Sequence, residues 1–382
     1  MADLNKKILI VGCGLSGAVC AQELANKGFN IEILEKRNHI AGNLYDYVDR
    51  YGITIHKYGP HTFHTNKKNI FEYIKKFYQW DKYKVFCGAK ILNKCTPTPF
   101  NFKTIDDYFS KEKAKIIKKA FLEKYQEGST VSVLDVINSD NIYIKEFGKF
   151  VFEHDYRPYT AKQWGLDPEK IDPSILVRVP IRVGYEEGYF TDPIEVMPHG
   201  LYTEFIKNLL DNNRISVKLN TDALDFLSID KNKIRVKGLN YEPIVIYTGP
   251  VDELFKYVHG NLPYRSLRFV VKHFERDSFQ DYSIVACPES KKFTRIVEYK
   301  KMYHTKVFGT SVVYEYPEEY KLNTNEPYYP LLKSDSIALY NKYKELASSI
   351  NNLFLCGRLA CYKYFNMDQT IENALKTVQG IN

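Results

Sequence analysis

The 382-residue sequence lacks the features of several protein classes. Its seven cysteines are odd in number and form no C-x-x-C pair, which argues against a disulfide framework and a zinc site. No uninterrupted apolar stretch is long enough to span a bilayer. The net charge is +8, but the basic residues form no tail or block, which argues against nucleic-acid binding. We therefore predict a soluble, cytoplasmic protein with reduced thiols and no metal, nucleic-acid or membrane partner.

Residues 7–35 contain a pattern typical of a dinucleotide-binding unit. A short apolar run precedes Gly12, Gly14 and Gly17 at G-x-G-x-x-G spacing, and a helical pattern and a second apolar run follow. The glycines allow a sharp turn and close approach of the backbone to a pyrophosphate, which lies at the helix N-terminus. Glu35 ends the second strand, where a carboxylate accepts from ribose hydroxyls. The pattern predicts an adenine dinucleotide site.

The residues that follow favour FAD over NAD as the dinucleotide. Arg37 and the run Ala41-Gly42-Asn43 extend the motif beyond the second strand. NAD enzymes need no such extension, whereas Gly42 allows the backbone to approach a larger cofactor closely.

Two histidines follow a short predicted strand around Ile53 and Ile55. His61 and His64 lie three residues apart, a spacing that also occurs in metal sites. No carboxylate or thiol accompanies them, so packing against a flavin is favoured over metal binding, and an ordinary loop stays open.

Aromatic residues and arginines crowd the middle of the chain. Residues 69–150 have a mostly helical pattern, interrupted by a proline-rich loop at residues 97–99. Tyr159 and Trp164 follow and fit either a core or a ligand site. Arg178 and Arg182 alternate with apolar residues, so on an extended segment both would point to one face. That face could bind phosphates or be an ordinary solvated surface.

The C-terminal half predicts antiparallel strands and a return to the dinucleotide unit. Residues 264–316 read as antiparallel strands, one of which carries Arg295, and a strand and helix follow at residues 352–358 and from Met367. We predict an α/β protein whose Rossmann-like FAD-binding domain is assembled from discontinuous segments, with a helical insertion domain and an antiparallel sheet domain. The predicted boundaries are 1–78, 190–250 and 340–382 for the FAD domain, 79–165 for the helical domain, and 166–189 with 251–339 for the sheet domain.

Motifs along nearly the whole chain resemble the bacterial UDP-galactopyranose mutase family. They are GCGLSG, IAGN, YGPHTFHTN, PYTAKQWG, RVPIRV, YTGPVDELF, FTRIVEYK, EPYYPL and GRLACYKYFNMDQTIENAL. The resemblance implies interconversion of UDP-galactopyranose and UDP-galactofuranose through a covalent sugar adduct at N5 of reduced FAD. It also implies an external reductant such as NAD(P)H, a nucleotide-diphosphate sugar as substrate, and a homodimer.

The resemblance also assigns roles by position. The catalytic residues that it implies are two arginines that grip the diphosphate, Arg178 in a mobile loop and Arg295. The implied FAD-binding residues are Gly12, Gly14, Ser16, Gly17, Glu35, Lys36, Asn43, Leu44, His61, Thr62, His64, Arg358, Phe365, Asn366, Met367, Asp368 and Thr370. The implied substrate-binding residues are Tyr159, Thr160, Trp164, Arg178, Tyr189, Arg295, Tyr329, Tyr364 and Asn366.

Three departures from the family pattern bear on the substrate. Asn366 replaces the usual aspartate, residues 155–157 read Asp-Tyr-Arg where aromatic or apolar residues cover the uracil, and residues 198–200 replace a glycine-pair turn. A related mutase acting on dTDP-fucopyranose, or on an N-acetylated or deoxy UDP-sugar, is therefore an alternative. Outside this class, the alternatives are a flavin amine-oxidase-like oxidoreductase and an inactive nucleotide-sugar binding protein.

Overall fold

A parallel sheet of five short strands carries the N-terminal glycine turn. The computed structural model describes residues 7–165, 179–303 and 305–381. The order of the sheet is Ile215–Lys218, Asn30–Leu34, Lys7–Val11, Val245–Tyr247 and Leu353–Leu355, and every neighbouring pair is parallel. Helices cover both faces, and the apolar residues of the central strands are buried against them. Three separated pieces of the chain thus form one sheet, which confirms the prediction of a discontinuous Rossmann-like unit.

Two helices that are distant in sequence pack together on one face of this sheet. Leu15–Asn26 follows the glycine turn and packs against Met367–Gln379 near the C-terminus. Their apolar faces join one core with the sheet. The start of both helices therefore lies at the carboxyl edge of the parallel strands, where ligands bind in such folds.

A second sheet contains seven strands. Its order is Tyr329–Pro330, Tyr264–Phe274, Thr310–Glu319, Arg295–Glu298, Ile284–Ala286, Cys87–Ile91 and Lys94–Thr98. The pairs are antiparallel except for Ile284–Ala286 with Cys87–Ile91, which are parallel. The predicted antiparallel sheet is therefore present, with one parallel pair inside it.

The mostly helical pattern predicted for residues 69–150 is wrong at residues 80–98. The chain forms the strands Trp80–Lys82, Cys87–Ile91 and Lys94–Thr98, and Pro97 lies in the edge strand of the seven-stranded sheet rather than in a loop. Alternate residues from Val85 to Ile91 are buried, a period of two that the helical spacing of nearby aromatic residues concealed.

The helical prediction holds for the rest of this region. The helices are Phe102–Tyr108, Lys111–Lys124, Val133–Ile137, Ile142–Val151 and Arg157–Trp164, with a π-helical turn at Phe152–Tyr156. Four of them begin at residues whose side chains accept from backbone amides, namely Asn101, Ser110, Ser132 and Asn141. These caps explain where the helices start, and their apolar faces form a separate core.

The remaining elements connect these layers. The small sheets are Phe63–Thr65 with Ile194–Pro198 and Trp80–Lys82, Asp46–Val48 with Thr54–His56, Thr130–Val131 with Ile181–Arg182, and Leu227–Asp230 with Lys233–Val236. The further helices are Lys68–Lys75, Tyr202–Leu209, Val251–Leu254, Lys300–Tyr303 and Ser334–Ser348. Among the described residues, no helix combines the length and the apolar character needed to cross a bilayer.

Candidate active site

Glycines shape a cradle at the carboxyl edge of the parallel sheet. Gly12 has φ +95°, and a Cβ atom there would lie 2.3 Å from Thr248 Oγ1. Gly42 has φ +54°, and its Cβ would lie 2.8 Å from the Gly14 Cα. Both positions therefore require glycine, because a side chain would be strained and would also meet a neighbouring strand or turn. The two glycine turns thus face each other closely.

The cradle opens into a cleft of about 240 Å³. Eleven of the residues predicted to bind the cofactor line it, which are Gly12, Gly14, Ser16, Glu35, Lys36, Asn43, Leu44, His61, Arg358, Met367 and Thr370. They come from segments far apart in sequence. The fold therefore brings most of the predicted cofactor residues to one place.

Glu35 lies where the dinucleotide motif predicts it, and its carboxylate also organises the turn. Its Oε2 accepts from the Cys13 amide at 2.8 Å, and its Oε1 accepts from the Arg37 amide at 2.8 Å. The residue is buried at the cleft wall. Each carboxylate oxygen can accept a further hydrogen bond, so Glu35 can still receive a ribose hydroxyl.

Six predicted cofactor residues do not line the cleft: Gly17, Thr62, His64, Phe365, Asn366 and Asp368. His64 stacks on Phe190 and its Nδ1 lies 2.6 Å from Asp192 Oδ2. Asp368 is buried and accepts from the Thr65 hydroxyl at 2.9 Å. These two side chains therefore make contacts within the protein, His64 to Asp192 and Asp368 to Thr65. His61 lines the cleft whereas His64 does not, so the two histidines do not form one site.

His61 marks the point where the cleft meets the second sheet. Burial, together with the positive charges of Arg358 and Arg295, lowers the pKa of His61 to about 3. Its Nδ1 is buried and has no hydrogen-bond partner within the described part of the chain. A neutral imidazole with an unsatisfied nitrogen at the cleft wall is suited to meeting a bound group.

Arg295 is held by a buried carboxylate of the neighbouring strand. Its Nε donates to Glu315 Oε2 at 2.8 Å, and its Nη2 lies 2.7 Å from the same oxygen in an ion pair. The arginine side chain is 24% exposed, whereas that of Glu315 is 1% exposed. Burial alone would lower the pKa of Arg295, but the charge of Glu315 outweighs it and the pKa is raised. Arg295 therefore stays a fixed cation with donors left over for an anion.

Tyrosines and a tryptophan surround this cation. Tyr329 and Tyr364 stack with ring centroids 5.8 Å apart, and Trp164 lies 6.4 Å from Tyr329. The Arg358 guanidinium lies 4.7 Å from the centre of the Tyr364 ring. Because Arg358 also lines the cleft, the aromatic cluster adjoins the cleft at this residue.

Tyr159 joins this cluster from the helix Arg157–Trp164. Burial raises its pKa, and the charges of Arg295 and Glu315 act on it as well as Tyr189 and Tyr329. Thr160, on the same helix, is buried. The fold thus brings Tyr159 and Tyr329, two of the predicted substrate residues, close to Arg295.

The two arginines of the central segment have different outcomes. Arg178 lies outside the described residues. Arg182 is 2% exposed and its Nη1 lies 3.7 Å from Glu186 Oε1, so the alternative of a solvated arginine is wrong for Arg182.

Several site residues escaped the sequence analysis. Glu315 could have been found only from strand register, because it lies opposite Arg295 in the sheet. Glu326 also lines the cleft and accepts from Arg37 Nη2 at 3.0 Å. The alternation of residue types in the strand Thr310–Glu319 offers no signal for Glu315, and Glu326 lies in a loop. Both become visible only when distant segments meet.

Comparison with known proteins identifies the family. A family model described as UDP-galactopyranose mutase matches residues 155–364, more than half of the chain, and one described as an NAD(P)-binding Rossmann-like domain matches residues 10–77. The chain belongs to the UDP-galactopyranose mutase family. This confirms the predicted family and the mutase class of enzyme. The Rossmann-like match and the flavoenzyme-like fold support a flavin cofactor, in agreement with the glycine cradle and the unsatisfied His61 nitrogen.

Relatives cover nearly the full length. The UDP-galactopyranose mutase of Mycoplasma genitalium is 36% identical over 98% of this chain and 94% of that protein. A dTDP-fucopyranose mutase of Escherichia coli is 30% identical over 98% of this chain and 97% of that protein. The chain is similar to both over nearly its full length, so this similarity alone does not distinguish the two nucleotide sugars.

Solved structures agree on the fold. A crystal structure of reduced UDP-galactopyranose mutase has a TM-score of 0.72 and 15% identity, covering 99% of this chain and 95% of that chain. A putrescine oxidase structure has a TM-score of 0.60 and 10% identity, covering 98% of each chain. At such identities the likeness concerns the fold alone. The amine-oxidase-like alternative therefore shares its architecture with this chain, while the family match is to the mutases.

Proposed function

We propose that this protein is a UDP-galactopyranose mutase, which interconverts UDP-galactopyranose and UDP-galactofuranose with FAD in its reduced state. The observation that carries the proposal is the position of Arg295. A guanidinium fixed by Glu315 lies among tyrosines, and its charge reaches His61 in the wall of the dinucleotide cleft. Such an arrangement holds a diphosphate beside a flavin.

The chain's own residues then bind and orient the nucleotide sugar. Arg295 grips the diphosphate and stabilises its charge as it leaves the anomeric carbon. Tyr329 and Tyr364 provide hydroxyl donors and an apolar ring surface next to the sugar. Tyr159, Thr160, Trp164 and Tyr189 complete the substrate site, and the three aromatic rings among them exclude water. Arg178 shares the phosphate role on the basis of the family resemblance.

The glycine cradle, Glu35 and the start of the helix Met367–Gln379 would hold FAD. Reduced flavin supplies the nucleophile for the sugar, and an external reductant such as NAD(P)H keeps it reduced. His61 is uncharged at neutral pH, because its pKa is about 3. It can therefore contact the flavin without placing another cation beside the two arginines.

A second candidate is a mutase that acts on dTDP-fucopyranose. Asn366 precedes the helix Met367–Gln379, and its backbone N–H donates to Gln369 Oε1 at 2.9 Å. Its side chain is a neutral amide rather than a carboxylate, and it lies next in sequence to Met367, which lines the cleft. A neutral group suits a deoxy sugar, which offers fewer hydroxyl donors, and one full-length relative bears that name.

Turnover of dithionite-reduced protein distinguishes these functions. We expect conversion of UDP-galactofuranose to the pyranose form, with much slower turnover of dTDP-fucofuranose and none with oxidised protein. Faster conversion of dTDP-fucofuranose would establish the second candidate. Absence of both products, together with oxidation of an amine and consumption of oxygen, would contradict the mutase proposal.

A further inference from the structure

The helix Arg157–Trp164 carries predicted substrate residues but has little apolar anchoring. Thr160 is its one fully buried residue, and none of its side chains belongs to an apolar core of the described chain. A helix in a globular protein is usually positioned by an apolar stripe that faces the core. The position of this helix, and with it that of Tyr159 and Trp164, therefore depends on polar contacts.

A lysine in this helix binds a turn of the second sheet. Lys162 Nζ donates to the carbonyl oxygens of Cys287, Pro288 and Ser290 at 2.6, 3.1 and 2.5 Å. An ammonium group has three N–H donors, so each of them is used. The three acceptors converge on one point, and the ammonium group therefore fixes the helix in direction as well as in distance.

The turn at residues 287–294, to which Lys162 is bound, leads directly into the strand that begins at Arg295. Its last residue, Thr294, donates from its amide to the Glu315 carbonyl oxygen at 2.9 Å and from its hydroxyl to Glu315 Oε1 at 3.2 Å. Glu315 in turn holds Arg295. The ammonium group of Lys162 thus joins the helix to the same part of the sheet that fixes the guanidinium group.

Neutral carbonyl groups, and no carboxylate of the described chain, are bonded to this ammonium group. Asp155, in the π-helical turn Phe152–Tyr156, acts on it through charge alone, and its own Oδ1 is buried without a hydrogen-bond partner among the described residues. Burial lowers the pKa of Lys162 to about 8, and the charges of Cys287 and Asp155 oppose this shift. A neutral amine has only two donors, and its lone pair would face the third carbonyl oxygen. The attachment of the helix therefore weakens when Lys162 loses its proton.

We propose that Lys162 is a positioning residue that sets the spacing between the helix Arg157–Trp164 and Arg295, and thereby the fit of the nucleotide substrate between them. This inference rests on the nucleotide-sugar function proposed above. A diphosphate alone needs only the guanidinium group, whereas the rest of the substrate has to fit between the helix and the sheet. Loss of the ammonium group therefore weakens binding of a nucleoside diphosphate far more than binding of a diphosphate without the nucleoside.

Three other ionisable groups lie around this contact. Burial raises the pKa of Cys287 to about 11, so its thiol keeps its proton at pH 9. Burial raises the pKa of Asp155 to about 7, so this acid loses its proton near neutral pH. The charge of the exposed Lys90 acts on Cys287. These groups are the same in every variant of Lys162, so an effect that disappears with Lys162 belongs to Lys162.

Calorimetric titration of the FAD-loaded, oxidised protein tests this role without requiring turnover. UDP is compared at pH 7 and pH 9 with methyl diphosphate, which has the same diphosphate ester but no ribose or base. We expect the affinity of the wild type for UDP to fall about fivefold over this range and its affinity for methyl diphosphate to fall less than about twofold. Ionisation of the diphosphate itself affects both ligands equally.

Variants of Lys162 separate its charge from its bulk. Lys162→Met should bind UDP about tenfold more weakly than the wild type at pH 7 and methyl diphosphate equally well, because the carbonyl groups lose their donor. Lys162→Arg keeps a cation that holds its proton, so it should bind UDP nearly as well as the wild type, with a fall of less than about twofold at pH 9. Lys149→Met, at an exposed lysine of the helix Ile142–Val151, is the control and should match the wild type. In all variants, Arg265 Nε still donates to the Gln163 carbonyl oxygen and keeps the helix attached.

Three results would overturn the proposal. The first is equal affinity of the wild type for UDP at pH 7 and pH 9, a comparison that does not depend on whether a variant folds. The second is an equal fall in affinity for methyl diphosphate, which would make Lys162 a distant charge rather than a positioning group. The third is unchanged binding of UDP by Lys162→Met. A wild type that shows the expected pH dependence but has no mutase activity would contradict the proposed function and leave the positioning role standing.

Discussion

Arg295 and Glu315 lie directly opposite each other on neighbouring antiparallel strands, and Nε and Nη2 of Arg295 lie 2.8 and 2.7 Å from the same carboxylate oxygen of Glu315. The same sheet contains a second arginine–glutamate pair, Arg268 with Glu318 at 2.6 Å, in which the arginine is 52% exposed. Burial is what distinguishes them. The exposed pair therefore serves as a matched control for the first two predictions.

We expect Arg295→Ala to lower kcat at least 100-fold while FAD remains bound, because the cation that stabilises the leaving diphosphate is lost. Reduced-enzyme turnover and the flavin absorbance of the purified protein measure the two effects. Arg268→Ala should retain nearly full activity. Near-normal turnover by Arg295→Ala would remove this residue from the phosphate site.

We expect Glu315→Gln to lower the free energy of unfolding by about 2 kcal/mol, since it leaves a largely buried guanidinium without its counterion. The loss should be smaller than for a fully buried pair because water reaches part of Arg295. Glu318→Gln should cost less than about 0.5 kcal/mol, as exposed pairs contribute little. Urea denaturation of both variants provides the measurement, and equal losses would contradict the importance of burial.

We expect Gly42→Ala to weaken FAD binding at least tenfold, because its Cβ would lie 2.8 Å from Gly14 in the cradle. Gly128 also has positive φ, at +81°, but a Cβ there would meet nothing within 4 Å. Gly128→Ala therefore reproduces the backbone strain without the clash. Titration of the apoprotein with FAD should separate the two variants, and equal affinities would show that the cradle does not hold the cofactor.

We expect Asn366→Asp to shift preference towards UDP-galactofuranose over dTDP-fucofuranose, because a carboxylate accepts from sugar hydroxyls that a deoxy sugar lacks. The quantity to compare is the ratio of kcat/KM for the two substrates. Asn373→Asp offers a control on the same helix, where the amide oxygen accepts from the Gly357 amide at 2.8 Å. An unchanged ratio in Asn366→Asp would exclude this position as a determinant of sugar choice.

We expect Asp155 to make stability depend on pH. Burial raises the pKa of Asp155 to about 7, and the nearby charge of Lys162 opposes that shift only in part. Between about pH 4 and pH 7 the folded protein therefore holds a proton that the unfolded chain has released, so this group lowers stability progressively as pH rises. The loss is on the order of a few kcal/mol by pH 8.

Asp155→Asn should remove this loss. The groups that act on Asp155, or on which it acts, are Lys162, Tyr156 and Cys287. In the ligand-free protein, the variant should melt several degrees above the wild type at pH 8 and close to it at pH 4. Equal melting temperatures at pH 8 would show that Asp155 is not held in a buried, unpaired state.

Local sequence patterns were sufficient to predict the dinucleotide-binding unit. The spacing of Gly12, Gly14 and Gly17, followed by Glu35 at a strand end, determines a turn whose geometry depends only on neighbouring residues. The start of a helix at a polar residue such as Asn141 can also be predicted from the sequence, because a capping side chain acts within one helical turn. The family motifs extended this reasoning to most residues of the site.

Contacts between distant segments were decided by the tertiary structure. Cys87–Ile91 enters the seven-stranded sheet by pairing with Ile284–Ala286, almost two hundred residues later, and no local pattern indicates that partner. Glu315 meets Arg295 through strand register, and Asp155 is left without a donor because Lys162 is bound by carbonyl groups of another sheet. The sequence alone determined the dinucleotide turn and the residue types of the site. Which charges are paired, and which acid is left unpaired, depends on burial and on long-range partners, and those exist only in the folded chain.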